Sequence, residues 1–405
     1  MAVPGGIMAE SNRRGLRTVK DADMEEYKQK LREHRLKVTK RTLVVGLILA
    51  LVVGGLGLYM AFRQYNDFDI QSSVERSDTA ATRFVEFRGN ILKYSNDGAF
   101  YTDTANELIW NQTYEMSDPQ IDICEGYLAI YDKKGTDIYI LNEDGLQGNI
   151  KMTMPIDQVC VASQGTIAVL MKKNKTAYLE LYDRDGNYLA GGEIHGEKGG
   201  YPVSIALSYD ALKLAVSMLD INDGSVKSTI AFYNYGSVGQ NEIDNCVGVS
   251  TFADMVIPEL EFTSNDRIIA LGDSKLLVFE GSQKPQLTVE IALENQAKSI
   301  FHNEEYIGVV HSNDTETVTH HLSVYDMQGS LVMEKDFEQE YDSIQFLSND
   351  EIYIKNENIC DLYTLRGIHK FHYEFDQELY QVLPGGMGLN YTFVLSDATE
   401  KVRLK

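Results

Sequence analysis

Histidine side chains are the residues of this sequence best suited to bind a transition metal. Two pairs are close together along the chain, His320 with His321 and His369 with His372. In a regular strand, residues that are an odd number of positions apart point to opposite faces. Neither pair therefore makes a two-histidine site by itself, and we expect histidines that are solvated or satisfied in the core.

Two acidic turns are similar to calcium loops because their oxygen-bearing side chains occupy alternate positions. They begin at Asp183 and Asp220. An EF-hand loop has glycine at its sixth position, where these turns have Tyr188 and Ser225. We therefore expect ordinary turns, and the sequence predicts no bound metal and no cofactor.

Sequence motifs of common enzyme classes are missing. The chain has no G-x-S-x-G nucleophile elbow and no G-x-x-x-x-G-K-[ST] phosphate-binding loop. Carboxylates are so numerous that no pair stands out as catalytic. The sequence therefore favours a protein that is not an enzyme.

The charge of the chain is strongly uneven. Its 405 residues carry a formal net charge of −23, which argues against nucleic-acid binding because that depends on basic side chains. Residues 1–41 are basic and residues 42–62 carry no charge, whereas residues 64–405 hold 25 basic and 54 acidic side chains. With 43% hydrophobic residues the chain can form a core, and its four cysteines are too few for a disulfide framework.

The uncharged segment at 42–62 has the length of a membrane-spanning helix. As a helix it would extend about 30 Å, which matches the hydrocarbon core of a bilayer. Lys37, Lys40 and Arg41 precede it, as the positive-inside rule expects for a cytoplasmic N-terminus. We therefore predict a partly disordered cytoplasmic tail at 1–41 and a single transmembrane anchor at 42–62. The protein would then lie in the plasma membrane, with the bilayer as a partner and its C-terminal part outside the cytoplasm.

Small residues recur in this segment at helical spacing. They are Gly46, Ala50, Gly54, Gly57 and Ala61, which are three or four positions apart and therefore share one face of a helix. Such a face lets two membrane helices approach closely, although glycine and alanine are also common in membrane helices that do not pair. Either a homodimer through this face or no pairing is consistent with the pattern.

Residues 63–405 predict an all-β domain made of repeats. Short alternating segments such as Tyr127–Tyr131 and His321–Tyr325 are rich in β-branched and aromatic residues. Six segments are followed by a glycine that suits a tight hairpin. These glycines are Gly145, Gly186, Gly236, Gly281, Gly329 and Gly367. Their spacing of roughly 40 to 50 residues predicts a β-propeller with four strands in each blade.

The number of repeats predicts eight blades, with seven as the alternative. The last repeat, at 377–405, has room for only three strands, and an open sheet edge invites aggregation. The missing outer strand could come from Phe68–Val74, just after the uncharged segment. We therefore expect a stalk and ring-closing strand within 63–83 and the propeller at 84–405.

Two cysteines occupy equivalent places in successive repeats. Cys124 follows Pro119 by five residues, and Cys160 follows Pro155 by five. They are expected in neighbouring inner strands, where either a disulfide or two free thiols would fit. Buried free thiols are the expectation, because cysteine packs well as a small apolar residue.

Three long polar loops are candidate interaction sites, since propellers bind partners through the loops of one face of the ring. The loops are 220–228, 236–250 and 312–320. Their candidate contact residues are Asp220, Asn222, Asp223, Asn241, Glu242, Asp314 and Glu316. A surface role without a partner is the alternative, because long loops are tolerated at little energetic cost.

The layout of the whole chain resembles an uncharacterised family of single-pass membrane proteins from clostridial Gram-positive bacteria, which is catalogued as a domain of unknown function. The resemblance depends on the basic tail, the uncharged segment and a degenerate Tyr-Asp-x-x-Gly repeat, as in Tyr182–Gly186 and Tyr325–Gly329. The repeat is also similar to WD40-like and quinoprotein-like propellers, including outer-membrane assembly scaffolds. True quinoproteins carry a tryptophan docking motif in each blade, and this chain has a single tryptophan, Trp110, which argues against their cofactor. The resemblance implies no catalytic residue.

These observations favour a non-enzymatic scaffold or adaptor in the cell envelope, which presents an acidic surface to another envelope protein. The alternative is a ligand-sensing ectodomain that signals through a dimerising transmembrane helix. A propeller hydrolase with a metal ion in its channel is a less favoured hypothesis.

Overall fold

The computed structural model of the chain describes residues 21–76, 82–221, 224–293, 295–315, 318–386 and 388–405. The chain divides into two compact units between Arg63 and Gln64. The described part of the first unit is helical, and the second unit is built from strands.

The first unit contains a long helix, α1 (Asp21–Phe62). Its first half carries charged side chains such as Glu26 and Lys30, which form an ion pair at 2.6 Å, and the uncharged residues form its second half. Over the described ranges, no helix combines the length and the apolar character needed to cross a bilayer. The predicted anchor at 42–62 is therefore wrong, and so are the plasma-membrane location and the orientation inferred from it. The uncharged residues are the second half of a helix whose first half is charged, so length and lack of charge did not suffice to identify a membrane span.

The small residues Gly46, Ala50, Gly54 and Gly57 lie along α1. At the three glycines, no atom lies within 4 Å of the place that a Cβ would occupy. The side chain of Ala61 lies outside the described atoms. Pairing of two copies through this face was inferred for a membrane helix, and it stays an untested prediction.

The second unit is an eight-bladed β-propeller, as predicted, and each blade is a sheet of four antiparallel strands. The unit begins with β1 (Phe68–Glu75), which precedes the first blade in the chain. Blade 1 contains β2 (Arg83–Phe87), β3 (Asn90–Ser95), β4 (Gly98–Thr102) and β5 (Leu108–Thr113). Blade 2 contains β6 (Pro119–Cys124), β7 (Tyr127–Asp132), β8 (Asp137–Asn142) and β9 (Gly145–Lys151). Blade 3 contains β10 (Ile156–Val161), β11 (Ile167–Lys173), β12 (Thr176–Tyr182) and β13 (Tyr188–His195).

A four-residue helix, α2 (Gly196–Gly199), leads from blade 3 into blade 4. Blade 4 contains β14 (Tyr201–Leu207), β15 (Lys213–Asp220), β16 (Lys227–Asn234) and β17 (Cys246–Ala253). Blade 5 contains β18 (Glu259–Ser264), β19 (Arg267–Leu271), β20 (Lys275–Glu280) and β21 (Gln286–Ala292). Two short 3-10 helices, Gly239–Asn241 and Ile243–Asn245, precede β17.

The remaining three blades complete the ring. Blade 6 contains β22 (Ala297–His302), β23 (Tyr306–Thr315), β24 (Val318–Asp326) and β25 (Leu331–Phe337). Blade 7 contains β26 (Ser343–Phe346), β27 (Ile352–Asn356), β28 (Ile359–Tyr363) and β29 (His369–Glu374). Blade 8 contains β30 (Leu379–Pro384), β31 (Asn390–Leu395) and β32 (Ala398–Leu404), and β1 is its fourth strand.

The core of the propeller lies between adjacent blades, so the central strands are buried on both faces. In β7, Leu128 and Ile130 pack against blade 1, whereas Ala129 and Tyr131 pack against blade 3. Because alternate residues of a strand point to opposite faces, a segment that is buried on both sides must be apolar throughout. This is why the central strands read as continuous apolar runs.

The first and last strands of the unit close the ring by pairing with each other. β1 lies antiparallel to β32, with Phe68 opposite Leu404 and Glu75 opposite Ala398. The ring of Phe68 packs among four aromatic rings of blades 7 and 8, at centroid distances from 4.9 to 6.4 Å. Blade 8 therefore depends on residues from both ends of the propeller unit.

The acidic turn that begins at Asp183 uses its carboxylate within the turn. One oxygen of Asp183 accepts hydrogen bonds from the backbone N–H groups of Asp185 and Asn187 at 3.0 and 2.8 Å. These contacts, together with the Asn187 side chain, lower the pKa of Asp183. Gly186 completes the turn at a φ of 83°, a conformation that most side chains resist.

Candidate functional site

A cavity of about 620 Å³ lies at one end of the central channel. Its walls are formed mainly by β6, β10, β14 and β18, the first strands of blades 2 to 5, which pack against one another around the axis. The lining residues lie near the beginning of these strands, so the cavity opens at the end of the ring where the first strands start. Four carboxyl groups line this cavity, and we call them the acidic mouth. They are Asp122, Asp157, Glu259 and Glu261, and Lys133 lies beside them.

Polar side chains at the acidic mouth connect each blade to the next through backbone hydrogen bonds. The pairs are Asp122 with Val161 (2.6 Å), Gln158 with Ile205 (2.9 and 3.0 Å) and Ser204 with Leu260 (3.1 Å). Each of these side chains belongs to the first strand of its blade and bonds to the following blade. Within the described ranges, Glu261 in blade 5 makes no corresponding hydrogen bond to blade 6. Unlike the side chains of Asp122, Gln158 and Ser204, the Glu261 carboxyl group therefore remains available to a ligand.

Burial and like charge alter the acidity of two mouth carboxyls. Loss of hydration raises the pKa of Asp122 from 3.8 to about 6, although the Val161 N–H opposes this change by stabilising the carboxylate. Loss of hydration, followed by repulsion from Asp122 and Glu259, raises the pKa of Glu261 well above its usual 4.5. Both side chains retain some exposure to the channel, but protein surrounds them. The inner part of the mouth therefore favours protonated carboxyl groups, or a cation that takes the place of the proton.

The two outer carboxylates of the mouth already have basic neighbours. Asp157 lies 2.7 Å from the Lys172 ammonium group, and Glu259 lies 3.6 Å from the His302 ring. The side chains of Asp157 and Glu259 remain 30% and 55% exposed. Exposed ion pairs of this kind contribute little to stability, so either carboxylate can exchange its neighbour for a basic group of a ligand at low cost.

All four cysteines are free, and no disulfide joins Cys124 to Cys160. Burial, reinforced by the nearby carboxyl Asp122, raises the pKa of the Cys124 thiol to about 12 and that of Cys160 well above 9. The Cys160 thiol donates to the Ile205 carbonyl oxygen at 3.2 Å. Both residues therefore act as small core side chains and not as reactive thiolates.

Among the predicted loop residues, those that the structure describes do not converge on one site. The Asp220 carboxylate pairs with Lys227 across a hairpin at 3.4 Å. Asp314 belongs to β23, which pairs with β24 as far as Thr315, so 312–320 is mostly strand. The side chain of Asp314 lies outside the described atoms, and Asn222, Asp223 and Glu316 lie outside the described residues.

The stretch 236–250 lies at the opposite end of the ring from the other two predicted loops. It joins the third and fourth strands of blade 4, whereas the other two join second and third strands, and successive turns of an antiparallel sheet alternate between its ends. Glu242 pairs with Lys284 of blade 5 at 2.6 Å, and Asn241 donates to the Ser237 carbonyl oxygen at 2.9 Å. This stretch packs onto the neighbouring blade, and the grouping of all three loops on one face is corrected accordingly.

The two histidine pairs behave differently. His320 is buried beside Phe337, and burial lowers its pKa, whereas His321 bonds Asp336 at 2.6 Å. His369 and His372, in contrast, both contact Asp361 of the neighbouring strand.

A bulge in β29 places His369 and His372 on the same face of blade 7. Asp361 lies opposite His372 and Tyr363 lies opposite His369, so one residue of β29 has no counterpart between these pairs. The extra residue reverses the alternation, and the expectation that the two histidines point to opposite faces is wrong. The same register shift recurs near the start of the fourth strand in blades 1 to 6, so it belongs to the repeat, but regular strand alternation could not have revealed this cluster.

The comparisons with known proteins agree on a propeller. Residues 61–404 match the model of a family described as a family of unknown function, DUF5711. No curated protein matches the sequence. Similar solved structures include Sqt1 from Chaetomium thermophilum, with 11% identity and a TM-score of 0.53 over 84% of this chain and 98% of that chain. Sqt1 from Saccharomyces cerevisiae has 10% identity and a TM-score of 0.50 over 84% and 100% of the two chains. BamB from Moraxella catarrhalis has 10% identity and a TM-score of 0.49 over the same shares. At these identities the likeness shows the fold alone.

Proposed function

Because the chain belongs to the DUF5711 family, whose function is unknown, we propose a function from the geometry of the propeller. The protein is a non-enzymatic interaction scaffold that binds a basic segment of a partner protein at the acidic mouth. One observation carries this proposal: three blades direct the carboxyl groups Asp122, Asp157, Glu259 and Glu261 into one open cavity. The sensor hypothesis is not retained, because it required a dimerising membrane helix.

The charge of the propeller supports a basic partner. Residues 64–405 carry a net charge of −29, so their field attracts cationic groups over a distance of about one Debye length. Inside the cavity, surrounding protein strengthens the attraction because it replaces water. A lysine or arginine side chain that enters the mouth would contact Asp157 and Glu259 first, and Glu261 offers an acceptor without an internal partner.

The binding of a labelled Lys/Arg-rich peptide to the full chain tests this proposal. We expect the variant Asp157→Asn/Glu259→Gln to bind the peptide about tenfold or more weakly, which corresponds to about 1.4 kcal/mol. Affinity should also fall with added salt, and an acidic peptide of equal length should not bind. Fluorescence anisotropy gives the dissociation constants.

The control is Asp144→Asn/Glu193→Gln, which removes the same charge at exposed positions away from the channel. If both variants weaken peptide binding equally, only the net charge matters, and the acidic mouth is not the binding site. Chemical crosslinking of the tagged full-length protein in cells, followed by mass spectrometry, then identifies the natural partner. Its crosslinks should fall on β6, β10, β14 and β18, which form the walls of the acidic mouth.

A further inference from the structure

Three potential metal ligands meet on the outer part of blade 7. The Nε2 atom of His369 and the Nδ1 atom of His372 lie 2.6 and 2.8 Å from the same oxygen, Oδ1 of Asp361. One ligand atom from each residue lies within 4.8 Å of the other two. In the described part of the chain, no other group of three His, Cys, Asp or Glu side chains satisfies this distance.

The carboxylate at the centre of this cluster lacks part of its expected bonding. The Asp361 side chain is only 3% exposed, and its Oδ2 atom is buried without a hydrogen-bond partner among the described residues. A buried carboxylate oxygen without a partner is costly, because it has lost its hydration. A cation bound to this carboxylate would satisfy it.

Neighbouring residues hold the ring of His369 and the backbone between the two histidines in place. The ring of Tyr363 stacks on His369 with 4.5 Å between centroids, and the Gln64 side chain lies 3.3 Å from the other ring nitrogen of His369. Backbone hydrogen bonds join Tyr65 to the stretch between the histidines: its N–H donates to the Lys370 carbonyl at 2.9 Å, and its carbonyl accepts from the His372 N–H at 3.2 Å. Metal-binding histidines typically have such a partner on the second ring nitrogen.

The side chain of the bulged residue, Lys370, contacts residues of blades 7 and 8. Its ammonium group lies away from the two histidines and contacts the Glu351 carboxylate and the Gly388 carbonyl oxygen. It also donates to the Tyr391 hydroxyl at 2.7 Å. This buried network joins β29 to blade 8, whereas the bulge itself recurs at the same place in blades 1 to 6.

We propose that Asp361, His369 and His372 form a binding site for Zn²⁺. Two imidazoles and one carboxylate are a ligand set typical of zinc sites that keep an open fourth position. Tetrahedral ligands of zinc are about 3.3 Å apart, so the ion requires the rings to move away from Asp361 by about half an ångström. His372 is 47% exposed, so it has room to move and leaves the fourth position accessible to water or a partner's side chain.

Neutral histidines can bind the ion without losing a proton. In the metal-free cluster each imidazole donates an N–H to Asp361, and on binding that proton moves to the other ring nitrogen through solvent. The Gln64 amide then presents its oxygen to His369, because an amide can accept as well as donate after a half-turn. The two N–H···O hydrogen bonds are thus replaced by three metal–ligand bonds.

Titration of untagged full-length protein with ZnCl₂ tests the proposal, after treatment with chelator and desalting. Excess Ca²⁺ in the buffer occupies oxygen-only sites, for which zinc competes poorly in the absence of nitrogen ligands. We expect one zinc ion per chain by calorimetry, and Co²⁺ in its place should give the visible absorption bands of a low-symmetry site. Zinc should also raise the unfolding temperature of the wild type.

Variants of the histidines decide the assignment. His372→Gln should weaken zinc binding by more than about 100-fold, because loss of a ligand exceeds the 10- to 100-fold effect of outer partners, and Gln64→Ala should weaken it about tenfold. The matched control is His321→Gln, which also removes a histidine bonded to an aspartate but leaves the cluster intact. It should bind zinc like the wild type.

The result that would overturn the proposal is a wild type that gives no cobalt spectrum and no zinc heat. Equal zinc affinity in His369→Gln/His372→Gln and in His321→Gln would overturn it as well. In either case the cluster is a hydrogen-bonded His–Asp–His triad only. Circular dichroism of each variant without metal separates loss of a ligand from loss of folding.

Discussion

Asp122 and Glu261 bind protons more tightly in the folded propeller than in the unfolded chain. Their pKa values are raised from 3.8 and 4.5, to about 6 for Asp122 and well above the ordinary value for Glu261. As the pH rises from about 4, the unfolded chain ionises first, whereas the folded chain holds these protons to a higher pH. These two groups therefore lower the free energy of unfolding as the pH rises through the pKa of the folded state.

We expect Asp122→Asn to raise the free energy of unfolding at pH 8 by up to about 3 kcal/mol, since a pKa that differs by one between the folded and unfolded chains corresponds to about 1.4 kcal/mol. The amide oxygen can still accept the Val161 N–H, so the contact between blades 2 and 3 is kept. The gain should shrink steadily toward pH 4, as urea unfolding at several pH values will show.

The matched control for this prediction is Asp144→Asn, at an exposed turn position. It should change stability little at any pH. A gain for Asp122→Asn that is independent of pH would show that the effect does not arise from its ionisation.

At the scale of the element, β1 holds the propeller together although it precedes the first blade in the chain. Phe68 packs among the rings of Phe371, Tyr373, Phe375 and Phe393, whereas Ile70 of the same strand is 54% exposed. The strand thus contributes both backbone pairing to β32 and one aromatic anchor. With β1 in place, β32 is no longer an edge strand, and blade 8 has four strands like the other blades.

We expect Phe68→Ala to lower the free energy of unfolding by about 2–4 kcal/mol, because it removes a large side chain from a packed cluster. Ile70→Ala, which shortens an exposed side chain of the same strand, should cost less than about 0.5 kcal/mol. Urea unfolding followed by fluorescence measures both. Equal losses would indicate that the pairing of β1, and not the Phe68 anchor, determines the stability of the closure.

At the scale of the whole molecule, charge opposes folding. The −29 net charge of residues 64–405 is confined to a compact ring, where like charges are closer together than in the unfolded chain. Salt screens this repulsion because the Debye length falls from about 30 Å at 0.01 M to about 3 Å at 1 M.

We therefore expect the unfolding temperature to rise when NaCl is increased from 0.01 to 0.5 M, as differential scanning calorimetry can measure. The Asp144→Asn/Glu193→Gln variant, which carries two fewer negative charges, should respond less to salt than the wild type. An unfolding temperature that falls with salt would mean that attractive ion pairs outweigh the repulsion.

The sequence by itself determined the architecture of the propeller, because the rules that govern it are local. Strand alternation, hairpin glycines such as Gly186 and Gly329, and the spacing between them act over a few residues, so eight repeats can be recognised without a structure. The same local reasoning failed at 42–62, where length, lack of charge and the preceding basic residues predicted a membrane span.

The sites were decided only by the tertiary structure. Asp122 and Glu261 belong to blades far apart in sequence, and they interact because the first strands of the blades converge on one axis. His369 and His372 share a face because a bulge reverses the alternation, and the same bulge recurs near the start of the fourth strand in blades 1 to 6. The convergence of the first strands depends on contacts between distant residues, which local spacing does not encode.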